Sequence, residues 1–400
     1  MDKAPAPQMS APTAKAPQVS MVVFIDALGW EVLKNRRFLE QELPFRRKLR
    51  SVFGFSSACV PSILTGRLPR DHGHWSFFFY NPQTSPFKPL KWLRLLPATL
   101  RERGRIRNWI SKVVKRCYGF TGYFQLYQMP FQLIDQFDYC EKRDLFADGG
   151  INNGSSIFEL LRAEGTPFHC SDWRETEEVN LRAAESALEQ GQVPFVFMYL
   201  AAMDGLLHQV GKDSPQVDTK LAWYEQELRK LLAIANERYE DVRLFICSDH
   251  GMCTVEKSVD VMAEIARLAC QEGRDYAATY DSTMARFWFH NDQARECISA
   301  KLTELPYGHI LSQQELATLG CDFDGDQYGE LIFLVDPGML IVPSHMGNQP
   351  IAGMHGYHPD HPDSDASLLS NVEPPATTQA IYDMFHLMRA EAASAAAAKG

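Results

Sequence analysis

The chain has 400 residues, 45% apolar and 22% charged, the proportions of an ordinary globular protein with ample material for a core. Its net charge of −10 argues against general nucleic-acid binding, although a local basic patch remains compatible with it. The longest apolar run, from Val193 to Met203, is shorter than the roughly 18–20 residues of a membrane span and contains Pro194.

In chain order, residues 1–19 are rich in Ala, Pro, Gln and Lys and lack the apolar centre of a secretory signal, so they are expected to form a disordered tail. A buried strand is predicted over 20–27, where the apolar run Val22–Ile25 is closed by Asp26. Ser56 and Ser57 stand just before a short helix predicted over 58–65, which ends at Gly66. A hydroxyl at a helix N-terminus sits where backbone N–H groups and the helix dipole favour a phosphate.

Residues 75–150 interrupt the regular pattern. From Lys88 to Arg116 the cations are Lys88, Lys91, Arg94, Arg101, Arg103, Arg105, Arg107, Lys112, Lys115 and Arg116, against Glu102 alone. Trp92, Leu93, Leu95, Leu96, Trp109, Ile110, Val113 and Val114 interleave with them. Two readings follow: a basic amphipathic segment in peripheral contact with an anionic membrane or lipid headgroup, or a solvated helix face packed by its apolar side on the core.

Beyond this insertion, helices are predicted over 154–163, 178–190 and 217–239, and strands over 166–171, 194–202 and 242–248. In the last helix Leu221, Tyr224, Leu228, Leu231 and Leu232 fall on one face, and Glu225 and Arg229 form an i,i+4 pair. The alternation argues for an α/β sheet. Residues 254–345 mix short strands and helices and are expected to form a cap over a substrate pocket. The main domain is expected to span 20–385, leaving 386–400 as an Ala-rich tail or the fraying end of a helix.

The carboxyl ends of strands carry the chemistry. Asp204 and His208 follow the strand at 194–202 and, four residues apart, face the same way on a helical turn. Asp249 and His250 follow the strand at 242–248, and His355 lies between Gly353 and Gly356. With Asp26 this makes three Asp and three His, enough for two metal ions with open positions for substrate. Asp and His suit zinc or manganese. The nine cysteines are scattered with no CxxC pair, as expected of reduced thiols in a cytosolic protein.

In order, Val-Val-Phe-Ile-Asp26, the segment from Ser56 through Leu-Thr-Gly66 and Pro69 to His72-Gly73, Tyr199-Leu-Ala-Ala-Met-Asp204 with His208, Ser248-Asp249-His250-Gly251-Met252 and Gly353-Met354-His355-Gly356-Tyr357 resemble the alkaline phosphatase superfamily, and within it the nucleotide pyrophosphatase/phosphodiesterase branch. The resemblance implies a doubly wound, mostly parallel α/β sheet flanked by helices, with two divalent ions, usually zinc. It places Asp26, Asp249 and His250 on one ion with the nucleophile, and Asp204, His208 and His355 on the other. Counting ten residues back from Gly66 makes Ser56 the nucleophile, with Ser57 as the alternate. Cys59 stands where that branch carries an Asn, which leaves the substrate preference open.

The implied activity is two-metal hydrolysis of a phosphodiester, the substrate being a small phosphate ester or a lipid headgroup ester. A phosphomonoesterase or phosphonate hydrolase is the alternative within the superfamily, and a metal-binding protein without turnover is the alternative outside enzymes. The expected location is cytoplasmic, with possible membrane contact through 88–116.

Overall fold

The computed structural model describes residues 14–97 and 103–398. A six-stranded sheet lies at its centre, made of β1 (Ala16–Ile25), β2 (Phe45–Leu49), β3 (Phe168–Cys170), β4 (Phe195–Leu200), β5 (Tyr239–Cys247) and β6 (Ala366–Ser370). The spatial order is β2-β6-β5-β1-β4-β3. Strands β5, β1, β4 and β3 run parallel, while β6 is antiparallel to both β5 and β2.

Side chains alternate across the sheet. Met21, Val23 and Ile25 of β1 join Val196, Met198, Leu244 and Ile246 in one apolar layer. Val22 and Phe24 join Phe197, Phe245 and Cys247 in the other. Because both faces are covered, these strands read as continuous apolar runs. Each large side chain buried this way contributes roughly 1.5–3 kcal/mol.

The first layer is closed by the helices Glu177–Glu189 and Pro215–Arg238, and the second by Ser56–Thr65, Ile157–Ala163 and Met384–Ala397. Ser156 starts its helix with a capping box: its hydroxyl accepts from the Glu159 N–H, and the Glu159 carboxylate accepts from the Ser156 N–H. Pro215–Arg238 buries Leu221, Tyr224, Leu228 and Leu231, whereas Leu232 is only partly buried. Glu225 and Arg229 do pair, at 3.5 Å, but the shorter contact of Arg229 is with Glu42 at 2.6 Å.

Both expected tails differ from the sequence reading where they are described. Strand β1 begins at Ala16, inside the segment read as disordered, because Ala16 to Val19 continue its parallel ladder beside β5. Residues 1–13 lie outside the described residues. Of the two readings of the Ala-rich C-terminus, a helix end or a tail, the described residues show a helix: Met384–Ala397 buries Met388, Ala392 and Ala395. Small Ala side chains let it approach the sheet closely, and the Glu391 carboxylate accepts from the Ser20 hydroxyl at 2.8 Å and pairs with Arg243 at 3.3 Å.

The segment 254–345 carries a four-stranded antiparallel sheet in the order Tyr276–Tyr280, Met284–Phe289, Leu331–Val335, Gly308–Ile310. A buried clamp ties it to the 75–150 insertion. The Arg286 guanidinium donates to Asp281 at 3.0 Å, to the Ser76 hydroxyl at 2.9 Å and to the Phe78 carbonyl at 2.9 Å. The insertion has its own apolar cluster, in which Ile110 and Val114 of helix Gly104–Tyr118 meet Phe87, Phe124 and Leu126.

One face of that basic helix therefore packs as a solvated helix would. A second apolar set points outward: Trp92 is 61% exposed, Leu95 72% and Trp109 65%. Arg101 and Glu102 lie outside the described residues. No helix among the described residues is long and apolar enough to cross a membrane.

Candidate active site

Three neighbouring parallel strands set the site. The register pairs Ile25 of β1 with Leu200 of β4, and Phe24 of β1 with Cys247 of β5. The chain leaves all three at the same edge of the sheet, where open α/β folds gather their ligands. Asp26 follows β1 directly. Asp204 lies in the first turn of the helix Ala202–Val210, which follows β4, and His208 is one turn further on. Ser248, Asp249 and His250 follow β5. Ala27 takes the left-handed conformation, with φ of 62°, and its N–H donates to Asp249 Oδ1 at 3.2 Å. Gly29 and Gly251 meet here so closely that a Cβ on Gly29 would stand 2.2 Å from the Gly251 Cα, so neither position tolerates a side chain.

These residues converge. His250 Nε2 lies 3.2 Å from Asp249 Oδ2 and 3.6 Å from Asp26 Oδ1. Asp204 Oδ1 lies 3.2 Å from His208 Nε2 and 3.6 Å from His355 Nε2. The ligand atoms of Asp204, His208 and His355 are within 4.8 Å of one another, and so are those of Asp26, Asp204 and His250. Asp204 thus belongs to both groups. The His250 and His355 rings stack at 3.7 Å and join them.

Two imidazoles are oriented through their other nitrogen. His208 Nδ1 lies 2.8 Å from the Gly353 carbonyl, and His250 Nδ1 lies 2.9 Å from the Gly251 carbonyl. An Nδ1–H donated to a carbonyl leaves Nε2 as a lone pair, the form a metal ligand takes.

The electrostatics show an excess of negative charge. Burial, reinforced by Asp249 and Asp204, pushes the Asp26 carboxyl well above the usual range. Burial likewise brings Asp249 up to about 7. Asp204 is only partly buried, and the facing His208 and His355 rings hold it below its ordinary value. Four buried ligand atoms, Asp26 Oδ1, Asp204 Oδ1, Asp249 Oδ2 and His355 Nδ1, have no hydrogen-bond partner. Such atoms are costly to bury unless paired. Acceptor atoms clustered around two shared centres fit divalent cations.

Ser56 is the first residue of the helix Ser56–Thr65, and its Oγ lies 3.1 Å from His250 Nε2. Ser57 is also within the helix rather than before it, and its hydroxyl donates to the Trp75 carbonyl at 2.7 Å. Cys59 is fully buried, with Sγ 3.6 Å from the Ser51 hydroxyl, and does not line the cavity described next. Cys59 therefore adds no polar group to the cavity wall.

A cavity of about 570 Å³ opens over Ser56, Asp26, Asp204, His208 and His355. The 75–150 insertion supplies Phe77, Tyr123, Tyr127 and Glu141 to its wall, and the cap and the loop beyond it supply Leu340, Met346 and Ile351. Sequence reasoning missed Tyr199, whose hydroxyl donates to Asp26 Oδ2 at 2.5 Å. The signal was present, since Tyr199 is a polar-tipped side chain next to the end of an otherwise apolar strand. It also missed Glu141, which carries no local signal.

A doubly wound α/β sheet with carboxylates and imidazoles gathered at three strand ends and a hydroxyl at a helix N-terminus defines an alkaline-phosphatase-like hydrolase. The chain belongs to the type I phosphodiesterase/nucleotide pyrophosphatase family, whose family model matches residues 21–358. It is accordingly a metal-dependent hydrolase acting on phosphoric ester bonds. Its fold is similar to that of murine ectonucleotide pyrophosphatase/phosphodiesterase 5, with a TM-score of 0.65 and 14% identity over 94% of this chain and 95% of that one. The human counterpart gives 0.64 and 12% over the same shares. A structure of an inactive variant of the murine protein, in complex with AMP, gives 0.65 and 14%. No match was found among curated proteins.

Proposed function

We propose that the chain cleaves a phosphodiester with Ser56 as the nucleophile, and that it holds two divalent cations of the zinc type. Asp26, Asp249 and His250 would hold one, and Asp204, His208 and His355 the other. The observation that carries this reading is the convergence of the unpartnered Asp26 Oδ1 and Asp249 Oδ2 on His250 Nε2, which itself lies 3.1 Å from Ser56 Oγ. Divalent cations held there supply Lewis acidity, which lowers the pKa of a bound hydroxyl and neutralises phosphoryl charge.

The chain's own residues do the rest. Ser56 Oγ attacks phosphorus in line, its proton passes to cavity solvent, and the ester oxygen leaves as an alcohol. Water then cleaves the phosphoseryl bond and restores the hydroxyl. The N-terminal end of the helix Ser56–Thr65 favours the anionic phosphoryl group. His208 and His250, held by the Gly353 and Gly251 carbonyls, keep their Nε2 atoms aimed at the site.

Ser56→Ala is expected to lower turnover of bis-p-nitrophenyl phosphate on the order of 10³-fold or more, with zinc content unchanged by elemental analysis. Near-normal activity in that variant, with loss in Ser57→Ala instead, would move the nucleophile by one residue.

The insertion supports a peripheral membrane contact as part of the same reading. Every exposed large apolar side chain among the described residues belongs to it: Trp92, Leu95, Trp109, Val113, Tyr118 and Tyr123. Lys91, Arg94, Arg105, Lys112 and Arg116 interleave with them. Apolar anchors among cations match an anionic bilayer surface. Co-sedimentation with phosphatidylserine vesicles should fall when Trp92 and Trp109 become Ala, and equal binding would remove the idea. All nine cysteines are free thiols, which supports a reducing, cytoplasmic location.

A further inference from the structure

The helix Ala202–Val210 carries two of the candidate metal ligands and has little of its own to hold it in place. It has nine residues, with Gly205 in its first half. Helices this short are marginal without tertiary support. Its N-cap is Ala201, with φ of −96° and ψ of −10°, and no local side chain caps it. Its first backbone N–H groups therefore need partners from elsewhere in the chain.

A distant acid provides one. Glu177, the first residue of the helix Glu177–Glu189, is 8% exposed. Its Oε1 accepts from the Ala202 N–H at 2.9 Å and from the Tyr224 hydroxyl at 2.7 Å. Its Oε2 accepts from the Lys220 ammonium at 2.6 Å. Lys220 and Tyr224 both belong to the helix Pro215–Arg238. The Lys220 ammonium also lies 3.8 Å from the centre of the Trp223 ring. One buried carboxylate thus joins three helices, and it does not line the cavity. A negative charge at this place also suits the N-terminal end of the helix it caps.

The far end of the short helix is tied as well, since the His208 carbonyl accepts from the Ala352 N–H at 2.9 Å. Asp204 lies two residues beyond Ala202, inside the turn that Glu177 reaches. Asp204 belongs to both candidate ligand groups, and its Oδ1 has no hydrogen-bond partner. The placing of this first turn therefore decides where that oxygen stands. We propose that Glu177 is a positioning residue. From a neighbouring helix it supplies the cap that Ala202–Val210 lacks, and so sets Asp204 and His208 in place for a cation. This inference rests on the two-cation reading and adds the group that orients the ligands. What the cap requires is the reach of the carboxylate oxygen, rather than its charge.

Full-length Glu177→Gln and Glu177→Asp separate the two. Gln keeps an oxygen at the same reach and gives up the charge. Asp keeps the charge and is one methylene too short. Competition with a chromogenic chelator should show one of two bound zincs weakened about 10-fold in Glu177→Asp, and both close to wild type in Glu177→Gln. With cobalt in place of zinc, the visible absorption bands should shift in Glu177→Asp alone. Leu188→Ala opens the core under the same helix without touching the cap, and should leave both affinities as they are. Wild-type affinities in Glu177→Asp, a loss in Glu177→Gln with none in Glu177→Asp, or an equal loss in Leu188→Ala overturns the proposal.

Amide hydrogen exchange of the metal-free protein reads the cap without any cation. The Ala202 amide should exchange faster in Glu177→Asp than in the wild type and Glu177→Gln. Equal exchange in all three overturns the proposal even where zinc binds. Faster exchange in Glu177→Asp alone, in a protein whose wild type binds no zinc, upholds the cap and places the failure in the two-cation reading.

Discussion

Replacing Glu141 by Gln should make the protein more stable above neutral pH and leave it nearly unchanged at pH 5. The native carboxyl keeps its proton to about 8, while the unfolded chain releases it near the ordinary 4.5. Between those values the native state binds more protons, so wild-type stability falls as pH rises through that window. The fall is complete above about 8. At about 1.4 kcal/mol per tenfold change in proton affinity, the linkage comes to about 5 kcal/mol if the cavity stays dry. Water in the open cavity shares the charge and brings the figure lower. Gln keeps the shape of the neutral acid and cannot ionise, so it lacks this pH dependence. Urea unfolding of both proteins at pH 5, 6, 7, 8 and 9, with equal metal load, reads the difference directly. It should grow from near zero and level off above pH 8. A difference that stays flat from pH 5 to 9 refutes the argument, because Glu141 would then ionise as it does in the unfolded chain.

Arg286→Met leaves Asp281 buried without its partner and should cost about 3–5 kcal/mol in urea unfolding. Adding Asp281→Leu should recover most of that loss. Asp204→Asn touches both ligand groups and should lower zinc content more than His208→Ala, which touches one; elemental analysis decides. Removing residues 384–398 exposes the apolar surface under Met388, Ala392 and Ala395, so the truncated chain should bind a hydrophobic dye and aggregate, whereas a true tail would come off without effect.

The metal-site candidates were legible because of how parallel strands are buried. With both faces covered, β1, β4 and β5 are unbroken apolar runs, and the first polar residues after them stand out. Asp26, Asp204, Asp249 and His250 were visible for that reason. His355 was visible through its loop setting between Gly353 and Gly356 and not through a strand end, since the two-residue strand at Gly353–Met354 is too short to carry a pattern. The sequence does not separate Ser56 from Ser57, because the Trp75 carbonyl that takes the Ser57 hydroxyl comes from a separate turn of the chain. The buried face of the C-terminal helix was not legible because an Ala-rich run has no apolar and polar contrast for periodicity to act on. Glu141 was beyond reach for a different reason. Its burial depends on the insertion folding back over the sheet edge, a long-range event that leaves no trace in neighbouring residues.

The sheet also ends in a way that protects the cell from it. Its two outer strands are β2 and β3, and open strand edges are templates for association between chains. Strand β3 has only three residues. Strand β2 is longer, but its middle reads Arg46, Arg47 and Lys48. Arg46 and Arg47 donate to the Phe38 and Pro375 carbonyls, which fastens neighbouring loops along that border. A second molecule approaching this edge meets like charges in place of a free ladder. Changing Arg47 and Lys48 to Val would leave the catalytic chemistry alone and turn this border into an edge open to pairing with another chain.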